Sequence, residues 1–178
     1  MRHNLFWKLA FTFLALLLSV LVAVDFFAER ALRDEYTRTT YGQLESIARL
    51  AKARPPQLSS VPPRSPEDRA ALDQWVSQMA ASNVRVTVIT ADGQVLADSQ
   101  SDARTMENHA DRPEIRDALG KGEGHSARRS VSVGRDLLYY AVRSETAGTS
   151  IVLRFAAPPA APAPARPSSR AQQPAPKR

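Results

Sequence analysis

Residues 84–98 read VRVTVITADGQVLAD, and this stretch indicates the fold of the chain. Its first half alternates apolar and polar side chains and is rich in β-branched residues, which is typical of a β-strand. Ala91-Asp92-Gly93 predicts a tight turn because Asp-Gly tolerates positive φ. Val95–Asp98 then predicts the returning strand, so a β-hairpin is expected near the middle of the chain.

The chain after this hairpin predicts one helix and three further strands. Residues 99–112 are polar and irregular in pattern, Arg112–Leu119 predicts a short helix that ends at Gly120, and residues 120–124 predict a flexible turn. Strands are expected at residues 126–133, 137–144 and 150–156. Short turns make neighbouring strands antiparallel. The expectation is an α+β fold, with a mainly antiparallel five-stranded sheet, helices on one face, and a concave space between the sheet and loop 99–124.

Two helices are expected before the hairpin. The first covers residues 26–53, stops before Pro55-Pro56 and places apolar and small side chains on one face, namely Tyr36, Thr40, Leu44, Ile47, Ala48 and Ala51. After a Pro/Ser loop, Ser65 is an N-cap candidate, followed by Pro66 and two acids in the first turn. The stripe on this second helix is expected to face the core and consists of Leu72, Trp75, Val76 and Met79.

The N-terminal segment has the length and composition of a membrane span. Residues 5–27 read LFWKLAFTFLALLLSVLVAVDFF, with no charged side chain between Leu9 and Val24. At about 1.5 Å per residue, such a helix crosses a hydrocarbon core of roughly 30 Å. We therefore predict a cytoplasmic stub at residues 1–4, a transmembrane helix at 5–27 and a juxtamembrane helix at 28–54.

Orientation and pairing of this span can also be predicted. Arg2 and Lys8 precede it, which places the N-terminus in the cytoplasm. A small-residue face suited to close approach of two transmembrane helices is formed by Ala15, Ser19 and Ala23. The alternative is a cleaved signal peptide, but the apolar run is longer than a usual signal core, and the best cleavage site, Leu21-Val22-Ala23, begins with a bulky residue.

Composition excludes several classes of protein. The chain has 178 residues and no Cys, so a disulfide scaffold, a Cys-ligated metal centre and a thiol nucleophile are excluded. The formal net charge of +6 comes from the two ends of the chain, and the middle is neutral, so no nucleic-acid partner is predicted. A folded domain is expected at residues 65–156, followed by a disordered Pro/Ala-rich tail at 157–178.

Four phrases of the sequence carry a family resemblance. They are Gln43-Leu44-x-x-Ile47-Ala48-Arg49-Leu50, the hairpin at residues 84–99, and Met106-Glu107-Asn108-His109-x-x-Arg112-Pro113-Glu114-Ile115, which is followed by Gly124-x-Ser126-x-Arg128-x-Ser130. Together with the anchor, they resemble the sensor half of a bacterial sensor histidine kinase of the phosphate-regulon type. That family has a PAS-like, single-Cache extracytoplasmic domain. The resemblance covers about Leu5 to Ala156.

The resemblance implies a function and a location. The chain would be the signal-sensing module of a two-component system, single-pass in a bacterial inner membrane, with its sensor domain extracytoplasmic and a homodimer formed through the transmembrane and juxtamembrane helices. No His-Glu-x-x-x-Pro box and no ATP-binding box occur in the sequence. No kinase activity is therefore expected of this chain, and it is interpreted as truncated or frameshifted before a kinase core.

Candidate ligand residues gather in the long loop and the strands after it. Cationic and hydrogen-bonding groups suited to a small anion are supplied by Asn108, His109, Arg112, Arg116, Lys121, Arg128 and Tyr139, with Tyr140 as a further donor. In the alternative interpretation, Asn108 and His109 cap the following helix, and the arginines pair with its acids Asp111, Glu114 and Asp117. The stimulus could instead be a periplasmic protein.

Other chemistry has little support in the sequence. No His pair at i, i+4 spacing occurs, and the glycines at 120–124 lack a following Gly-Lys-Ser/Thr, so no metal and no cofactor are predicted. No catalytic constellation is present, which leaves an anchored periplasmic enzyme as a weak alternative. A stronger alternative is a single-span interaction protein that pairs with an intact sensor kinase or another Cache receptor.

Overall fold

The structure is a computed structural model that describes residues 3–80, 83–130, 134 and 136–160. The end of the strand predicted at residues 126–133 and most of the predicted Pro/Ala-rich tail, from residue 161 onward, lie outside the described residues. The chain divides into two compact units, Met1–Arg38 and Thr39–Arg178, which are described separately.

The first unit is helical. Helix α1 begins at His3 and ends at Ala53, so its first part belongs to this unit. Its apolar side chains from Phe6 to Phe27 are exposed, and it is long and apolar enough to cross a membrane. Ser19 Oγ donates a hydrogen bond to the carbonyl oxygen of Leu16 at 2.7 Å. The polar hydroxyl is therefore satisfied within the helix, as a hydrocarbon environment requires.

The second unit contains a five-stranded sheet and three helical segments. The elements after α1 are α2 (Pro66–Met79), β1 (Arg85–Thr90), β2 (Val95–Asp98), a short 3₁₀ helix (Ala103–Thr105), α3 (Pro113–Lys121), β3 (Glu123–Arg129), β4 (Asp136–Thr146) and β5 (Thr149–Ala157). The strand order is β2-β1-β5-β4-β3, and all four neighbouring pairs are antiparallel. The predicted α+β class and five-stranded sheet are confirmed.

Local sequence explains why these elements begin and end where they do. Ser65 Oγ accepts a hydrogen bond from the Asp68 amide at 3.0 Å, which confirms the predicted N-cap of α2. Strands β4 and β5 are joined by the two-residue turn Ala147-Gly148, in which both φ angles are positive, at 49° and 67°. Such turns match the twist of the two strands that they join.

The helices pack on both faces of the sheet, so the expectation of helices on one face is wrong. On one face, α1 and α2 bury Leu44, Ala48, Leu72 and Val76 against β1, β4 and β5. On the other face, α3 buries Ile115 and Ala118 against Ile89, Ala141 and Val152. The cause is the crossover between β2 and β3, which joins opposite edges of the sheet and places α3 on the face that α1 and α2 leave open.

The flexible turn predicted at residues 120–124 is also wrong. Helix α3 continues to Lys121 and ends at Gly122, whose φ of 95° is in the left-handed region and whose amide donates to Ala118 O at 2.9 Å. Strand β3 begins directly after it, because Glu123 already pairs with Val142 of β4. The glycine that ends the helix is therefore Gly122, not Gly120.

Candidate functional site

The face of the sheet under α3 carries an unusual number of polar side chains. Alternate residues of a strand point to the same face, and the pairing of the five strands brings these side chains together. They are Arg85, Thr87, Asp98, Ser126, Arg128, Tyr139 and Arg154. Buried polar groups need partners, so each group of this set has to be accounted for.

Arg85 and Asp98 form a completed buried ion pair. Nε of Arg85 lies 3.0 and 2.9 Å from the two carboxylate oxygens of Asp98, and the two side chains are 4% and 0% exposed. Asp98 also accepts hydrogen bonds from Thr87 Oγ1 at 2.7 Å and from the amides of Gln100 and Ser101. With both oxygens of Asp98 occupied by several donors, this pair holds β1, β2 and the following loop together.

Glu114 of α3 is the second buried carboxylate, and it is shared between two arginines. Ser126 Oγ donates to its Oε2 at 2.7 Å, whereas Oε1 lies 3.2 Å from Arg128 Nη2 and 3.7 Å from Arg154 Nη1. Burial alone would raise the pKa of Glu114, but the hydrogen bonds from Ser126 and its own amide, together with the charge of Arg128, bring that pKa below its usual value. Glu114 is thus ionised, and one carboxylate oxygen faces two guanidinium groups.

Several nitrogens on this face have no hydrogen-bond partner among the described residues. They are Nε of Arg128, Nε of Arg154 and Nδ1 of His109, and all three atoms are buried. Arg154 is only 2% exposed and reaches Thr87 Oγ1 through Nη2 at 3.1 Å. Burial lowers the pKa of Arg154 to about 10 in spite of the charge of Glu114. Its positive charge is incompletely balanced inside the domain.

His109 contributes a neutral imidazole to the same region. It is 6% exposed, and its amide donates to Gly93 O at 2.8 Å, which fixes the loop beside the β1–β2 turn. Burial and the nearby charge of Arg154 lower the pKa of His109 to about 4, with smaller contributions from Arg112 and Arg128. At neutral pH, His109 therefore adds no charge to a region already rich in cations.

The ring of Tyr139 forms the floor of this region. Cζ of Arg128 lies 4.2 Å from the ring centroid, and Cζ of Arg154 lies 5.4 Å from it. Such cation–π contacts orient a guanidinium group without using its hydrogen-bond donors. We name His109, Arg128, Tyr139 and Arg154 the cationic cluster. Arg128 is the member that reaches solvent, since 23% of its side chain is exposed.

The other predicted ligand residues lie around or away from this cluster. Asn108 holds its loop, because Nδ2 donates to Asp92 O and Oδ1 accepts from the Ala110 amide, both at 2.8 Å. Arg112 lies at the margin, 3.9 Å from Glu107. Arg116 is exposed on α3, and Lys121 pairs with Asp117 at 2.9 Å on the helix surface. The predicted anion-binding residues that the fold brings together are His109, Arg128 and Tyr139.

The alternative interpretation of these residues is only partly reproduced. The N-cap residue of α3 is Arg112, with no side-chain hydrogen bond to its cap within the described part of the chain. The arginine and acid pairing is real for Arg128 and Glu114. Tyr140, considered as a further donor, lies on the opposite face of the sheet and donates to Glu123 at 2.7 Å. Adjacent strand residues such as Tyr139 and Tyr140 necessarily point to opposite faces.

The expected concave space lies at the sheet edge rather than over the cluster. A groove of about 720 Å³ is bordered by β2, the N-terminal half of α2, Pro62 and Pro63, and the segment from Ser101 to Asn108. Of the predicted ligand residues, Asn108 alone borders this groove. The groove therefore combines loop 99–112 with α2, a contact that the sequence pattern did not indicate.

Two central residues of the site, Arg154 and Glu114, are not among the ligand residues predicted from the sequence. Arg154 interrupts the otherwise apolar stretch from Ile151 to Ala157 in the central strand β5. A charged residue inside a strand buried on both faces signals a partner or a ligand. The sequence pattern indicates Glu114 only as a partner of the arginines, whereas its position on α3 directs it under the helix, where it is fully buried.

Residues 74–153 match the Single Cache-like family. The match runs from the C-terminal half of α2 into β5, and it includes three of the four residues of the cationic cluster. Arg154 follows directly after it. The Cache-like match supports a Cache sensor domain, and the α+β architecture with a five-stranded antiparallel sheet agrees with a Cache or PAS-like fold. No curated protein matched the chain.

Proposed function

We propose that the chain is a membrane-anchored sensor whose Cache-like domain binds a small carboxylate at the cationic cluster. The observation that carries this proposal is the pair of buried Nε groups on Arg128 and Arg154 that lack acceptors. A buried donor without a partner costs about 1–3 kcal/mol, and more when it is charged. Such unpaired groups call for an acceptor from outside the chain, and a bound anion would supply one.

A carboxylate has the geometry that these donors need. A guanidinium group binds carboxylates through parallel N–H donors. Within the same domain, Nε of Arg85 already donates to both carboxylate oxygens of Asp98. Arg128 and Arg154 each use Nη atoms toward Glu114 and leave Nε unused. An external carboxylate placed between the two Nε groups would complete both arginines.

The charge of the site favours a singly charged group. Within the described residues, this face buries the guanidinium groups of Arg85, Arg128 and Arg154 against the carboxylates of Asp98 and Glu114. The depressed pKa of His109 keeps its imidazole neutral. One positive charge is therefore in excess, and one carboxylate would balance it. A phosphate dianion would overcompensate this charge.

The location and output of the sensor complete the proposal. The apolar segment of α1 would anchor the chain in a bacterial inner membrane, with Arg2 and Lys8 on the cytoplasmic side. The resemblance to phosphate-regulon kinases supports a role as the input of a two-component system, and Cache domains are typically extracellular. A ligand that binds two packings of a sensor dimer unequally would shift the population between them. No phosphate transfer from ATP to this chain is expected.

A second candidate is a single-span interaction protein. Ala15, Ser19 and Ala23 recur every four residues on one side of the apolar segment, a spacing that favours close helix pairing. The chain would then pair with an intact kinase and change its signalling. Co-purification with such a kinase, lost on Ser19→Leu, would support this role, whereas a strictly monomeric chain in detergent would argue against it.

The ligand proposal is tested by thermal unfolding of the full chain in detergent micelles. Acetate, succinate, citrate and inorganic phosphate would each be titrated at constant ionic strength. A carboxylate at 100 times its dissociation constant should stabilise the fold by about 2.7 kcal/mol. Arg128→Gln should remove this stabilisation. Arg129→Gln is the matched control, since it removes the same charge from the exposed face of β3. Equal responses of the two variants would refute the site.

A further inference from the structure

The two buried carboxylates on the α3 face are held in different ways. Asp98 has both oxygens occupied, with Nε of Arg85 at 3.0 and 2.9 Å, Thr87 at 2.7 Å and two backbone amides. Glu114 places its Oε1 between two arginines at longer distances, 3.2 Å for Arg128 and 3.7 Å for Arg154. The contacts of Glu114 with its arginines are therefore looser than those of Asp98, although both side chains are fully buried.

We propose that Glu114 is a built-in competitor, whose Oε1 holds the Nη donors of Arg128 and Arg154 until an external carboxylate, bound at their Nε groups, takes those donors over while Glu114 stays on this face. This inference rests on the proposed function, since it presumes that the cationic cluster binds a carboxylate. Glu114 and the external group are chemically alike, and both would bind Arg128 and Arg154. The tethered group therefore sets the affinity of the site and makes release of Glu114 part of binding.

The position of Glu114 couples this exchange to helix α3. Glu114 lies in the first turn of α3, a helix of nine residues whose N-cap has no side-chain hydrogen bond within the described residues. The polar side-chain contacts that hold this end of α3 to the sheet therefore run through Glu114 to Ser126 and Arg128. Exchange at the arginines would release the contact of Glu114 with Arg128, so the first turn of α3 would become more mobile when the external anion binds.

Strand β3 would be affected by this release of α3. The backbone carbonyl of Glu114 lies against Gly124, the second residue of β3, and Ser126 of the same strand donates to the Glu114 carboxylate. The opposite face of β3 contacts α1, where the ring of His125 lies 5.5 Å from the ring of Tyr41. Strand β3 thus contacts both the competitor and the helix that leads to the N-terminal segment.

The test uses acetate as the probe, because it carries the carboxylate of Glu114 on a shorter chain. Dissociation constants for the full chain in micelles would be measured by thermal shift at constant ionic strength, and α3 amide hydrogen exchange would be measured with and without acetate. Glu114→Gln should tighten acetate binding by about tenfold or more, since it removes a competing negative charge. Ser126→Ala removes one hydrogen bond to Glu114 and leaves its charge in place, so this variant should tighten acetate binding by a smaller factor. Asp117→Asn is the matched control, since it removes an exposed carboxylate from the same helix.

Hydrogen exchange separates displacement of Glu114 from simple loss of charge. In the unaltered chain, acetate should speed exchange in residues 114–118. In Glu114→Gln, exchange should already be fast and acetate should change it little. Unchanged or weaker acetate binding in Glu114→Gln, or an acetate response of α3 like that of the unaltered chain, would overturn the competitor. If Glu114→Gln does not fold, the same two measurements on Ser126→Ala, acetate affinity and hydrogen exchange of α3, test the competitor instead. If acetate binds neither the unaltered chain nor the variants, the proposed carboxylate site itself fails.

Discussion

The backbone carbonyl oxygen of Glu114 lies against Gly124 at a separation that leaves no room for a Cβ atom. A side chain at Gly124 would also meet the Asp117 Cβ at 2.7 Å and the Ala118 amide nitrogen at 3.0 Å. Helix α3 therefore rests directly on the backbone of β3, at the point where the helix carries its buried carboxylate. This close approach fixes the distance between α3 and the cationic cluster.

Gly124→Ala should destabilise the domain for this reason. The added methyl group meets backbone atoms, which cannot rotate away, so α3 must shift at a cost of about 1–3 kcal/mol. Gly120→Ala is the matched control, because Gly120 lies in the same helix with open space around it. Alanine should stabilise that position by up to about 1 kcal/mol. Urea unfolding of the full chain in micelles measures both, and equal effects of the two substitutions would contradict the close approach.

Asp98→Asn should be among the most damaging single substitutions in the sheet. It keeps the size of the side chain but removes the charge that balances buried Arg85. Removing one partner of a buried ion pair costs about 3–5 kcal/mol. Asp73→Asn, on the exposed surface of α2, should change stability by less than about 0.5 kcal/mol. A loss below about 1 kcal/mol for Asp98→Asn would mean that the pair is not the fixed element described.

Stability should fall as the pH is lowered, because His109 is buried as a neutral group. Its pKa is about 4 in the folded chain against 6.5 ordinarily, so the unfolded chain binds the proton more readily. The contribution of neutral His109 to the free energy of unfolding is fully present above pH 6.5, and it is lost progressively as the pH falls toward 4. Between pH 7.5 and 5.0 the loss should be about 2 kcal/mol. His109→Gln should flatten this dependence and His125→Gln, an exposed control, should not. Identical slopes in the two variants would exclude His109 as the cause.

Leu17→Arg should weaken membrane anchoring. Leu17 lies near the middle of the apolar segment, where an arginine opposes insertion by about 2.5–3.5 kcal/mol. Leu50→Arg, at an exposed position of α1 in the second unit, is the control and should leave membrane association unchanged. Alkaline extraction of cell membranes separates the two results. The intact mass of the mature protein is a further check, since loss of the first two dozen residues would identify the segment as a cleaved signal peptide.

The hairpin, the start of α2 and the five strands could be predicted from the sequence because each depends on neighbouring residues, whereas the sequence indicates Gly120 and not Gly122 as the end of α3. Asp92-Gly93 specifies its turn locally, and Ser65-Pro66 specifies the start of α2. The face on which α3 packs could not be predicted, since β1 is buried at all six positions and its alternation therefore does not distinguish a core face from a solvent face. Such information lies in contacts between distant segments of the chain.

The sequence predicted three of the four residues of the cationic cluster, His109, Arg128 and Tyr139, but not Arg154. The sequence indicates a function for polar or cationic side chains in polar segments, and these include Asn108, His109 and Arg128. Arg154 is separated from His109 by 45 positions and meets it only through the pairing of β5 with β1 and β4. Arg116 and Lys121 are exposed because of the way α3 is rotated about its axis. In a helix of only nine residues, the sequence pattern defines this rotation poorly.

The central claim is that Nε of Arg128 and Nε of Arg154 are the vacant donors of a carboxylate site. The most direct measurement is nuclear magnetic resonance of the full chain in micelles, with ¹⁵N-labelled arginine and resonances assigned through Arg→Lys variants. Titration with acetate should move the Nε signals of Arg128 and Arg154 together and saturably, and should leave that of Arg85 in place, because Asp98 already occupies it. Signals of Arg128 and Arg154 that stay fixed, or that move no more than Arg85, would contradict the account.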